Sequence, residues 1–184
     1  MHYQKSISLI IVISPILFII INTFFNDDIV NPFSYLISST GFVSLSLLLT
    51  VIFIPIFDAV KQLLNRRILG LSAFFYTSIH LLIYIVDNNI YFKYLISDIL
   101  NLLYIQIGYV AFLLFLPLVF TSTAAAMAIL KVNWFKIHRL IYFIIALSFI
   151  HYYLTIKADY FIFTFYLILS LLILLLKKKV SRYE

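Results

Sequence analysis

Four histidines occur in the chain, at positions 2, 80, 138 and 151, and two of them, His80 and His151, stand inside long apolar runs. An ionisable side chain in such a run is costly to bury, so it marks a place where a specific contact or chemistry offsets the cost. Neutral imidazole can share a hydrogen bond, move a proton or ligate a transition metal through one ring nitrogen. The stretch from Trp134 to Ile156 carries two of the four, with His138 at a cationic edge beside Lys136 and Arg139 and His151 deeper in. His2, at the N-terminus, reads as a surface residue.

The elements that must position these imidazoles follow from composition. Of the 184 residues, 65% are hydrophobic and only 11% charged, which lies outside the range of ordinary globular domains. Apolar runs cover residues 7–25, 36–57, 68–86, 104–120, 137–156 and 160–176. Each is near the roughly 20 residues that a helix needs to cross a bilayer. The expected fold is therefore all-α: a polytopic bundle of six transmembrane helices forming one domain over 1–184. The first run is too long for a signal peptide and no small-residue cleavage site follows it. Six spans use nearly the whole sequence, so a soluble catalytic or nucleotide-binding domain is not expected. With no cysteine, disulfides, thiolate nucleophiles and cysteine-ligated iron–sulfur clusters are excluded.

The net charge of +6 reflects membrane orientation rather than nucleic acid, which is not an expected partner. Lys5, then Lys61, Arg66 and Arg67, then Lys131, Lys136 and Arg139, then Lys177, Lys178, Lys179 and Arg182 fall at alternate ends of the spans. The opposite ends carry Lys93 and Lys157 with Asp27, Asp28, Asp87, Asp98 and Asp159. The positive-inside rule then places both termini in the cytoplasm. The segment from Asp87 to Leu103 reads as a loop long enough to lie along the outer surface.

On that topology His80 lies about 18 Å and His151 about 21 Å from the cytoplasmic end of its run, at about 1.5 Å per residue. Two imidazoles on different helices, at matching depth in an apolar setting, are what a bis-histidine b-type haem requires. Small or hydroxyl neighbours such as Thr77 and Ser148 leave room for a flat ring. The competing reading is that each histidine only hydrogen-bonds a neighbouring helix. His138 precedes His151 by 13 residues, roughly 220° of net rotation on an ideal helix, so the two are not expected to share a narrow stripe. A second haem near His138 would need another ligand; Arg67, at the corresponding level of the third span, suits propionate or phosphate rather than iron. No HExxH, Walker loop, GxSxG or GxGxxG occurs, and no Asp, Glu or Lys lies within a span, which disfavours hydrolase, nucleotide-driven and proton-coupled transport functions.

The segments from Arg66-Arg67-Ile68-Leu69-Gly70-Leu71 to His80-Leu81, then Thr121-Ser122, then Trp134 through His138, Arg139 and Tyr142 to His151-Tyr152 resemble the MsrQ (YedZ) family, within the ferric-reductase-like transmembrane superfamily. The resemblance implies a six-helix subunit of the bacterial inner membrane with haem b and a cytoplasmic-side flavin mononucleotide (FMN). Electrons from the quinone pool or a cytoplasmic flavin reductase would pass to a periplasmic, molybdopterin-dependent methionine sulfoxide reductase subunit that repairs oxidised proteins. Position by position, it implies His80 and His151 as axial iron ligands and His138 as a further cofactor histidine. Arg66, Arg67 and Arg139 become candidates for propionate or flavin phosphate, and Trp134 for packing on the flavin ring. For these four, charge topology and interface anchoring compete. Phe42 and Ile56-Phe57-Asp58 stand where the family pattern leads one to expect a basic residue after Gly41 and Pro55. No catalytic residue is expected in the chain itself. Two rivals remain: a ferric or other metal reductase using the same haem, and a cofactor-free scaffold or transporter with structural histidines.

Overall fold

The computed structural model describes residues 2–156 and 160–180, without the side chains of residues 2, 179 and 180. Of the positions read above, the side chains of His2 and Lys179, and Lys157, Asp159 and Arg182 altogether, lie outside the described residues. Among the described residues every regular element is helical. Six helices are long and apolar enough to cross a membrane: Tyr3–Phe25, Pro32–Ile56, Arg66–Asp87, Leu103–Phe120, Val132–Thr155 and Phe161–Lys178. Hydrocarbon offers backbone groups no partner, so such runs satisfy their N–H and C=O groups internally as helices. The chain is an all-α, multi-pass membrane protein. It divides into two compact units, Met1–Phe92 and Lys93–Glu184.

The first unit holds helices α1 (His2–Phe25), α2 (Pro32–Phe53), α3 (Asp58–Leu63) and α4 (Arg66–Asp87). Local chemistry sets their ends. Asn31 caps α2 by accepting the Ser34 N–H, with Pro32 at the first helical position. Pro55 follows, and the chain tightens there into a short 3-10 turn, Ile54–Ile56. Asn65 caps α4 through the Ile68 N–H. α2 and α4 run antiparallel, burying Leu45, Leu48, Leu49 and Ile52 together with Leu69, Ala73 and Tyr76. Within that seam Ser44 and Thr77 hydroxyls meet at 2.6 Å and both reach the Ala73 carbonyl. α1 is pinned alongside: Tyr76 Oη donates to the Val12 carbonyl, the Asn65 N–H donates to the buried Ser8 hydroxyl, and Gln4 donates to the Lys61 carbonyl.

The second unit takes in α5 (Phe92–Asn101) from Lys93 on, then α6 (Leu103–Phe120), α7 (Ala124–Leu130), α8 (Val132–His138), α9 (Leu140–Thr155) and α10 (Phe161–Val180). α6 and α9 form its core, with Ala111, Phe115 and Leu118 buried together with Ile141, Ile144 and Phe149. α10 packs on α9 through Phe163, whose ring meets Phe149 and Tyr152, and through Lys177, whose ammonium donates to the Tyr142 hydroxyl.

The span boundaries agree with the apolar runs to within a few residues, and three local differences stand out. The stretch 87–103, read as a loop, contains the amphipathic helix α5. The residues after the fourth apolar run, Thr123-Ala124-Ala125-Ala126, open the short helix α7, capped by the Thr123 side chain. The run 137–156 is not one uniform helix: α8 ends at His138 and α9 begins at Leu140, with the Arg139 N–H shared between the Phe135 and Lys136 carbonyls.

Candidate functional site

Each unit turns one histidine of a long helix, α4 in the first and α9 in the second, onto the antiparallel neighbour, α2 or α6. In the first, His80 Nδ1 lies 2.8 Å from the carbonyl oxygen of Ile37 on α2. In the second, His151 Nδ1 lies 2.7 Å from the carbonyl oxygen of Tyr104 on α6. A carbonyl can only accept, so Nδ1 carries the proton in both rings. That tautomer leaves the lone pair on Nε2 when the imidazole is neutral, the form in which it ligates a metal. Metal-bound histidines characteristically donate their other ring N–H to a carbonyl or carboxylate, which fixes ring orientation and raises ligand basicity. The donor set therefore fits haem iron. It also realises the interhelical hydrogen bond of the competing reading, and the two roles use different nitrogens.

A glycine accompanies each contact. A Cβ added to Gly41, four residues after Ile37, would lie 3.2 Å from His80 Nδ1; one added to Gly108, four after Tyr104, would lie 3.1 Å from His151 Nδ1 and Cε1. The imidazoles thus lie against bare helix backbone. Both rings are half-buried.

His138 is built differently. Its Nε2 lies 3.1 Å from Thr121 Oγ1, just past the end of α6. The Thr121 hydroxyl proton is committed to the Pro117 carbonyl at 2.6 Å, so Oγ1 accepts and His138 Nε2 carries a proton. Trp134 stacks on the His138 ring with centroids 3.9 Å apart and donates its indole N–H to the Thr121 carbonyl. Trp134, His138 and Thr121 form one cluster at the end of the α6–α9 pair opposite His151.

Both histidines of the Trp134–Ile156 stretch, which were not expected to share a narrow stripe, meet the α6 segment, His151 through Tyr104 and His138 through Thr121 just past its end. The ideal rotation does not run through the α8–α9 junction, where the Arg139 N–H is shared between two carbonyls and the Tyr142 N–H bonds the Arg139 carbonyl three residues back. Such i to i+3 bonds wind the chain more tightly than an α-helix.

The remaining candidates are exposed. Arg66 and Arg67 occupy the first turn of α4 and Arg139 the α8–α9 junction. Along their own helices they stand about 18 to 21 Å from His80 or His151, at about 1.5 Å per residue. Among the described residues no three His, Cys, Asp or Glu side chains come together to hold a metal ion. A haem needs no such cluster, because the macrocycle supplies its own four nitrogens. Sequence reasoning missed Ile37, Tyr104, Gly108 and Thr121 as partners of the histidines. The glycines were the available signal, since the chain has only three and all lie within spans.

The model of the family described as "Ferric reductase like transmembrane component" matches residues 37–149, which takes in the Ile37 carbonyl, His80, Gly108 and His138. The protein-methionine-sulfoxide reductase heme-binding subunit MsrQ of Xanthomonas euvesicatoria pv. vesicatoria is 43% identical over 95 residues, 51% of this chain and 44% of that protein. The subunit of the same name from Caulobacter vibrioides is 37% identical over 136 residues, 71% of this chain and 65% of that protein. The chain thus spans from under half to just under two thirds of the length of these curated relatives. No solved structure matches it. On a match that covers most of both histidine-bearing helix pairs, the chain belongs to the ferric reductase like transmembrane component family and is similar, within it, to the MsrQ heme-binding subunits.

Proposed function

We propose that this chain is a haem b membrane subunit that passes electrons across the bacterial inner membrane to a periplasmic, molybdopterin-dependent methionine sulfoxide reductase subunit. The observation that carries the reading is the shared state of His80 and His151, each with Nδ1–H held by a carbonyl of the neighbouring helix. In this reading His80 and His151 would hold haem iron through Nε2, and the apolar spans around them would exclude water. Bound haem supplies reversible one-electron transfer at low reorganisation. The printed name of the relatives, a heme-binding subunit of a methionine sulfoxide reductase, supports both the cofactor and the partner.

Both termini are assigned to the cytoplasm on the distribution of Lys and Arg. The Trp134–His138–Thr121 cluster then faces the donor side, where a flavin mononucleotide would accept electrons from the quinone pool or a cytoplasmic flavin reductase. The exposed Arg139, with Arg66 and Arg67, offers positive charge to its phosphate or to haem propionates. The whole sequence acts as a single electron-carrying domain with no catalytic residue of its own; sulfoxide chemistry belongs to the partner.

Purification from haem-replete cells tests this. A Soret band with one haem, or two if His138 holds a second, is expected for each polypeptide, together with reoxidation of the reduced protein by the sulfoxide reductase partner. Absence of haem would favour the cofactor-free scaffold. The family description supports a second reading, a ferric or metal reductase. Reoxidation by ferric citrate with no response to the sulfoxide reductase would select it.

A further inference from the structure

We infer that Gly41 and Gly108 are positioning residues that hold His80 and His151 in the Nδ1–H tautomer, with the Nδ1–Cε1 edge of each ring against the neighbouring helix. The inference rests on the haem reading for its consequence but not for its geometry.

In both units the same three parts recur: a carbonyl, a glycine four residues later on the same helix, and an imidazole from the antiparallel helix lying over both. One helical turn separates carbonyl and glycine, so they sit on the same face. A Cβ at position 41 would stand 3.2 Å from Nδ1 and 3.3 Å from Cε1 of His80, and at position 108 it would stand 3.1 Å from the same two atoms of His151. Carbon and nitrogen do not pack that closely without strain, so a methyl group pushes the ring away by a few tenths of an ångström. The hydrogen bonds, at 2.8 and 2.7 Å, run beside that contact and lengthen or break when the ring moves. A histidine side chain free in water favours the Nε2–H form, so loss of the carbonyl contact shifts the ring toward the tautomer whose Nε2 cannot ligate.

The third glycine supplies the control. A Cβ at Gly70 would meet only Val51 Cγ2, at an ordinary 3.9 Å. Gly70 lies in α4, the same helix as His80, so Gly70→Ala shares the membrane setting without touching an imidazole.

The full chain, labelled with 15N-histidine and prepared without haem, reads the tautomers directly by NMR. Wild type and Gly70→Ala are expected to show Nδ1–H signals from His80 and His151. Gly41→Ala loses that of His80 alone, and Gly108→Ala that of His151 alone. In haem-loaded protein the same two variants shift the low-spin EPR gmax and the midpoint potential, while Gly70→Ala does not. Nε2–H tautomers in wild type, or Nδ1–H signals unchanged in both alanine variants, overturn the inference. The haem-free spectrum involves no cofactor, so its outcome is distinguishable from a failure of haem binding, which is read from the Soret band. Should one variant fail to accumulate, the glycine of the other unit and the wild-type spectrum decide.

Discussion

Nε2 of His138 donates to Thr121 Oγ1 across 3.1 Å, and so this histidine carries its proton on the nitrogen opposite to the one protonated in His80 and His151. The stacked indole of Trp134 and its N–H bond to the Thr121 carbonyl complete a closed cluster. Three histidines of one chain thus present two arrangements: two rings whose Nδ1–H is held by a backbone carbonyl, and one ring engaged at Nε2 beside an aromatic plane.

His138→Ala is therefore expected to leave in place the haem proposed to be held by His80 and His151. Trp134 is the only tryptophan, so its fluorescence reports this cluster without background. Loss of the stacked imidazole, a quencher, should brighten the emission while the Soret absorbance per protein stays at the level of that haem. Unchanged emission would mean that the stack is absent in the membrane. Loss of all haem would make His138 essential to the main cofactor.

If flavin mononucleotide binds near Trp134, titrating it into purified protein should quench the same emission to saturation, and Arg139→Ala should weaken that binding roughly 5- to 10-fold, the scale of about 1 to 1.4 kcal/mol for one partly exposed charge-assisted contact. Quenching that never saturates, or an Arg139→Ala titration identical to wild type, removes flavin from this end of the molecule.

Ile144 is fully buried in the α6–α9 seam that carries both His138 and His151. Truncation to alanine removes three carbons from a packed site and is expected to cost about 2 to 5 kcal/mol. Ser44→Ala in the other unit should cost only about 0.6 kcal/mol, since Thr77 still reaches the Ala73 carbonyl. Melting curves in one detergent should rank the two in that order; equal midpoints would contradict the packing described.

α5 exposes Phe92, Ile96 and Leu100 along one stripe, whereas Lys93, Ser97 and Asn101 form an exposed polar stripe about 100° further round the helix. Such a helix between two spans is expected to lie in the membrane interface with its apolar stripe in lipid. The chain has no cysteine, so single Cys labels are unambiguous. A nitroxide at Ile96→Cys should relax faster with oxygen than with a water-soluble nickel complex, and one at Ser97→Cys the reverse. Matching behaviour at both positions would place α5 wholly in water or wholly in lipid.

Much of this was legible in the sequence because one physical constraint dominates it. Hydrocarbon forces apolar runs into helices, so the span limits follow from run length, and His80 and His151 stand out as ionisable groups where none is cheap. The partners of the histidines were not legible, because which face of α2 or α6 meets an imidazole depends on antiparallel register. The Ile37 and Tyr104 carbonyls carry no side-chain signal of that register, and the intramembrane glycines beside them mark a close approach without saying which residue makes it. The tightened turn at Arg139 has neither glycine nor proline to mark it, and so the break between α8 and α9 was not legible either.

The most direct test of the account is the spectrum of the full chain with each of the two proposed ligands, His80 and His151, replaced in turn. Wild type is expected to show the low-spin, six-coordinate signature of bis-histidine haem b, and His80→Ala and His151→Ala should each lose it, through haem loss or conversion to a high-spin form. Full low-spin haem in both variants would contradict the assignment of these imidazoles as the ligands.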